Sequence, residues 1–157
     1  MLDPNYSDLL SAFLAHEVKF LVVGAYALGV HGRSRATMDF DVWVEPSPEN
    51  APRVMAALRE FGAPLHGVTE ADLSSAGVGL HIGVPPIRID VLTELSGITF
   101  HEAWPGRVAA RLGDVPCAVI GPTEMLTNKR AAARAKDLAD AEALEQILAT
   151  RARPSPR

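Results

Sequence analysis

Two aspartates one residue apart, in the run Asp39-Phe40-Asp41-Val42-Trp43-Val44, constrain this chain more than any other feature in it. The run alternates as a strand does, with successive side chains on opposite faces. Both carboxylates therefore project from one face, roughly 7 Å apart, while Phe40 and Val42 take the other. Like charges held that close repel, and one of them stays protonated unless something positive sits between them. A divalent cation is the simplest such group. Aspartate oxygens suit Mg²⁺, which keeps waters and recruits substrate phosphate oxygens to complete its shell.

Just upstream, residues 20–23 read as a strand, Gly24 as a sharp turn and residues 25–31 as a short helix. A polar loop follows, leading to a strand ending in Asp-Phe-Asp. Backbone N–H groups and the dipole at a helix start attract anions, so a phosphate cradle lies about fifteen residues from a metal platform. In the loop, Arg33, Arg35 and Thr37 have no apolar duty. The arginines either neutralise triphosphate charge, which the guanidinium fork does well, or pair with surface carboxylates.

Val23-Gly24-Ala25 followed by Asp39-Phe40-Asp41 resembles the signature of the nucleotidyltransferase superfamily, the proteins with a DNA polymerase beta-like fold. Together with the later NKRAAARAKDLAD segment, these residues look like the small AbiEii/AbiGii-type toxin nucleotidyltransferases. Ala25 stands where that signature has Gly or Ser, which removes a hydroxyl contact and leaves the backbone donors. The resemblance implies an α+β fold, a single domain with a mixed β-sheet flanked by helices. It also implies transfer of a nucleoside monophosphate from an NTP to an acceptor hydroxyl, on an RNA end such as that of tRNA or on a protein side chain. Two Mg²⁺ ions, replaceable by Mn²⁺, and a cognate antitoxin as partner belong to the same implication. The superfamily's third acid sits on a neighbouring strand and matches Asp90 within Ile89-Asp90-Val91. A lysine and an aspartate of the C-terminal helical region, Lys129 and Asp137 here, are implied at the phosphates and the metal.

The 157 residues make one domain, expected over 1–150, with a disordered basic tail at 151–157. The longest uncharged apolar run, 20–30, falls short of the roughly 20 residues that span a bilayer. The opening residues carry no signal core, and Cys117 alone cannot form an internal disulfide, so a cytoplasmic protein is expected. A net charge of −4 lacks the general basic footprint of a protein that wraps nucleic acid, although Lys129, Arg130, Arg134 and Lys136 form a local basic patch. The five histidines have no zinc-type spacing and read as packed or surface residues.

Helical spacing predicts a helix over 7–18, started by Pro4 with Ser7 or Asp8, and a second one burying Val54, Met55, Leu58 and Phe61. A short helix is expected over 70–75. Strands over 78–83 and 87–92 flank a Pro85-Pro86 turn, putting Arg88 and Asp90 on one face. Thr99 caps a further short helix, Gly113-Asp114 turns a hairpin, and Gly121-Pro122 opens the last helical region. On one continuous helix Lys129, Lys136 and Asp140 share a stripe, Asp137 lies beside Arg130 and Arg134, and Leu138, Ala141, Leu144 or Glu145, and Leu148 give the buried face of the final helix. Two rival readings stand beside the enzyme. One is a non-catalytic nucleotide-binding or partner-binding module, motivated by Ala25. The other is a phosphohydrolase, supported by the carboxylates alone.

Overall fold

The computed structural model describes residues 2–34, 39–84 and 86–153. In chain order it contains α1 (Pro4–Ala15), β1 (Phe20–Val23), α2 (Gly24–Val30), β2 (Asp39–Val44), α3 (Ala51–Phe61), α4 (Glu70–Leu73), β3 (Gly79–Val84) and β4 (Ile87–Leu92). These are followed by α5 (Phe100–Ala103), β5 (Val108–Leu112), β6 (Val115–Val119), α6 (Pro122–Ala132) and α7 (Ala135–Ala152). The strands form one mixed sheet in the order β3-β4-β2-β1-β6-β5. β2 pairs parallel with β4 and β1 parallel with β6, while β1 and β2, β3 and β4, and β5 and β6 are antiparallel.

Alternation along β2 sorts the sheet into two unlike faces. Phe40, Val42 and Val44 are fully buried on the side covered by α1. There Tyr6 stacks on Phe40 with ring centroids 4.8 Å apart, and Phe13 meets Phe20 edge-on at 5.1 Å. On the opposite face Asp39 and Asp41 are half-buried, and the third residue of the series, Trp43, is buried against Phe100 of α5 at 5.1 Å. One end of that face is thus plugged by aromatics and the other is left polar.

Several boundaries differ from the sequence reading for identifiable reasons. α1 begins earlier than 7–18 because Asp3, not Ser7 or Asp8, caps it: its carboxylate accepts the Asn5 N–H at 2.8 Å, with Pro4 in the first turn. The acidic triplet opens the described part of β2 instead of ending it, since the ladder with β1 continues to Val44. Capping boxes at Thr69/Asp72 and Thr99/Glu102 bound α4 and α5. α7 runs to Ala152, past the expected boundary at 150, and residues 154–157 of the expected tail lie outside the described residues.

The largest correction concerns the C-terminal region. The helix is not continuous: α6 stops at Ala132, and Ala133 adopts the left-handed conformation, φ +56°, before α7 begins. The break ends the expected stripe, leaving Lys136 exposed while Lys129, Asp137 and Asp140 are buried together. Leu138, expected on the buried face, is 51% exposed, while Ala141 and Leu144 of the same helix are buried. Among the described residues no helix is long and apolar enough to cross a membrane.

Left-handed backbone costs a residue with a Cβ about 1–2 kcal/mol, part of which glycine gives back through its freer unfolded chain. Ala133→Gly is therefore expected to raise stability by about 0.5–1 kcal/mol, and Ala133→Val to lower it, as read from urea midpoints.

Candidate functional site

Strand register draws a line of side chains across four strands. Val23 pairs with Asp41, Asp41 with Asp90, and Asp90 with His81. One row along, Asp39 pairs with Arg88. Paired residues share a face, so three carboxylates, a guanidinium and an imidazole gather at the polar end of the sheet. This face forms one wall of a cleft of roughly 430 Å³, lined by Gly24, Asp39, Asp41, Arg88 and Asp90. The facing wall carries Lys129 of α6 and Arg134, Lys136 and Asp137 beyond the break at Ala133.

Gly24 is required by its surroundings. Its φ of +69° favours glycine, and a Cβ there would lie 2.2 Å from Asp41 Oδ2. The bare backbone lets the Asp41 carboxylate sit directly on the turn that opens α2.

The two central acids are held in opposite ways. Burial, then the charge of Asp90 and a hydrogen bond with it, and then the charge of Asp39 push the Asp41 carboxyl up to about 7, against the opposing pull of Lys129. Burial also raises Asp90. There, however, the His81 and Arg88 hydrogen bonds win, and its carboxyl falls below the usual range. Asp90 Oδ1 is 2.5 Å from His81 Nδ1 and accepts from Arg88 Nε at 3.0 Å.

The donor set fits a divalent metal. The donors are carboxylate oxygens, glycine leaves space beside Asp41, and the raised Asp41 carboxyl marks a place short of positive charge. Among the described residues, no group of three or more His, Cys, Asp or Glu side chains is arranged as a metal cluster. Asp90 directs Oδ1 to His81 and Arg88 and also shares a hydrogen bond with Asp41.

The structure brings together Gly24, Asp39, Asp41, Asp90, Lys129 and Asp137 of the sequence-derived site residues. Ala25 is half-buried in the first turn of α2, next to Gly24. Arg33 does not join the cleft lining: its Nε lies 3.4 Å from Asp140 Oδ1, on the far side of the Lys129 network. Arg35 and Thr37 lie outside the described residues. His81, Arg88 and Arg134 had no assigned role in the sequence. His81 was legible in principle, because a two-residue turn at 85–86 sets residue 81 opposite residue 90.

Cys117 is buried in β6, where burial pushes its thiol up to about 11, in keeping with a small packing residue.

No protein-family model matches this chain, and no curated protein matches it in sequence. Solved structures do resemble it. The antibiotic-resistance factor ANT(2'')-Ia, described in solution as showing substrate-regulated conformational dynamics, aligns with a TM-score of 0.58 and 13% identity. The alignment covers 94% of this chain and 88% of that one. A Thermotoga maritima protein, TM1012, whose nucleotidyltransferase assignment is itself provisional, aligns with a TM-score of 0.53 and 13% identity, covering 96% and 97%. The fold is accordingly the expected one: an α+β single domain whose six-stranded mixed sheet, flanked by helices, is nucleotidyltransferase-like.

Two measurements probe this geometry. Gly24→Ala is expected to lower stability by about 1–3 kcal/mol in thermal unfolding, since the new methyl meets Asp41 in strained backbone. The raised Asp41 carboxyl gives a signed pH effect. Its folded-state value lies above its unfolded one, so its stabilisation is complete below about 4 and is lost as pH rises toward about 7. Asp90, shifted downward, acts only at the acidic end, where its stabilisation is lost as pH falls. With chelator present, Asp41→Asn is expected to gain stability over the parent across that interval, read from urea midpoints at each pH.

Proposed function

We propose that this protein is a divalent-metal-dependent nucleotidyltransferase. The observation that carries the reading is the facing of three carboxylates, Asp39, Asp41 and Asp90, by Lys129 and Arg134 across a cleft whose floor is the Gly24 turn. The nucleotidyltransferase-like fold supports it.

In this reading Asp39 and Asp41 would hold Mg²⁺, with Asp90 as the third carboxylate. Bound Mg²⁺ supplies charge neutralisation at the phosphates and orients the oxygens for in-line displacement. The chain's own residues do the rest. The backbone at Gly24 and Ala25 and the Lys129 ammonium take the triphosphate. The acceptor oxygen bonds to the α-phosphorus as the bridge to the β-phosphate breaks, and pyrophosphate leaves with that electron pair. The hydroxyl proton passes to water or to the carboxylate pair. Because His81 and Arg88 keep Asp90 a weak base, its part is to orient the hydroxyl. Positioning and fixed charge supply most of what such a reaction needs.

The resemblance to AbiEii/AbiGii-type toxins leads us to propose an RNA end, tRNA included, or a protein side chain as acceptor, with an antitoxin restraining the site. The rival reading, a non-catalytic module of the same fold, draws on one observation: Arg88 and His81 already occupy Asp90 Oδ1.

The deciding assay offers labelled NTPs with Mg²⁺ or Mn²⁺ to total RNA, to cell protein and to small hydroxylated molecules. Asp39→Ala and Asp41→Ala are expected to reduce labelling at least about 100-fold. Equal labelling by parent and variants would refute the enzymatic reading. Nucleotide binding without transfer to any acceptor would favour the module.

A further inference from the structure

Lys129 is 7% exposed, on α6, and its ammonium nitrogen lies 3.2 Å from Asp140 Oδ2 and 3.4 Å from Asp137 Oδ1. Both acids sit on α7, 0% and 1% exposed. Their remaining oxygens are also engaged. Asp137 Oδ2 accepts from Arg134 Nε at 2.6 Å and from the Arg134 backbone N–H at 3.3 Å, and Asp140 Oδ1 faces Arg33 Nε at 3.4 Å. Neither carboxylate keeps an oxygen clear of these cations. Asp137 reaches the cleft lining only beside its cationic partners, and Asp140 lies behind it.

Taking the nucleotidyl-transfer reading as given, we infer that Asp137 and Asp140 are positioning residues that act through Lys129, and that neither is a ligand of metal or substrate. A lysine side chain is long and flexible, and ordering it costs rotamer freedom. Two nearly inaccessible carboxylates on one helix fix its ammonium from behind. Lys129 donates to Asp137 and pairs by charge with Asp140, and as a lining residue of the cleft it keeps donor capacity for an anion there. Charge count gives the arrangement its sign. Among the described residues of α6, α7 and their junction that line the cleft, Lys129, Arg134 and Lys136 outnumber Asp137, so this wall is positive. A buried pair of this kind is costly to break from one side, because the partner charge stays behind uncompensated. Only the break at Ala133 makes the arrangement possible, since it folds the first turns of α7 back onto α6. Arg33, which follows α2, extends the network to the end of that helix.

The test compares Asp140→Asn with the parent by three readouts. Nucleotide affinity is measured with a non-hydrolysable NTP analogue. Cation affinity without nucleotide is measured by Mn²⁺ paramagnetic resonance. The state of Lys129 is read from its ¹³Cε and ¹⁵Nζ signals in isotopically labelled protein, Lys19 and Lys136 being the chain's other lysines. Positioning predicts that nucleotide binding weakens about 10-fold, that KM rises more than kcat falls, that Mn²⁺ affinity is unchanged and that the Lys129 signal shifts. A fall in Mn²⁺ affinity with the Lys129 signal unmoved would overturn it. Asp137→Asn, which keeps the Lys129 to Asp140 contact, is run alongside and serves if Asp140→Asn does not fold. In a double-mutant cycle with Lys129→Met, positioning predicts that the second change adds less than about 2-fold to the first; independent, multiplying losses would overturn it. If the parent binds no nucleotide, the nucleotidyl-transfer reading fails, and the Lys129 and Mn²⁺ signals still decide the positioning role.

Discussion

Carboxylates crowded on one face of a sheet are the constraint that the rest of this structure answers. The parallel pairing of β2 with β4 puts Asp41 beside Asp90, and the alternation of β2 adds Asp39 one row away. Water cannot screen these charges well, because the strands are central in the sheet and α6 and α7 close over them. Each neighbouring feature compensates for that cost. Arg88 and His81 hold Asp90, Lys129 draws on Asp41 from across the cleft, and a glycine turn gives Asp41 room.

The asymmetry between Asp41 and Asp90 follows from who their neighbours are. Both are removed from water, which favours the neutral form. Asp90 has two donors aimed at one oxygen and stays charged, whereas the nearest groups to Asp41 are acids. A divalent cation entering the cleft would meet one carboxylate already fixed and another in need of charge. The facing wall is the reverse, since Lys129, Arg134 and Lys136 outnumber Asp137 among its described lining residues.

Much of this was legible in local pattern. Phe40 and Val42 alternate with Asp39 and Asp41, and that alone assigns the charged face. Pro85-Pro86 between two apolar runs sets a hairpin, and its turn length sets the register that brings His81 to Asp90. Thr99 with Glu102, and Gly62 at φ +86°, mark helix ends by rules that act within a few residues. For Arg33 the sequence left a phosphate and a carboxylate both open as partners, and the described contact is with the Asp140 carboxylate. A free arginine before an acidic strand fits a phosphate as well as it fits a carboxylate, and its partner Asp140 is more than a hundred residues away. Leu138 was expected inside and is exposed: at the first turn of α7 it lies before the buried apolar residues Ala141 and Leu144.

The sequence by itself determined the strands, most turns, the two faces of β2 and the identity of the acids, since period, capping and turn chemistry are decided by near neighbours. Only the tertiary structure decided that the C-terminal helix breaks at Ala133, an alanine in backbone that glycine would normally supply. Locally, Asp137 capping the Arg134 backbone N–H favours a new helix start, and nothing local favours the left-handed alanine before it. The structure around it offsets the strain by burying Lys129 between Asp137 and Asp140, which is possible only once α6 and α7 fold against each other.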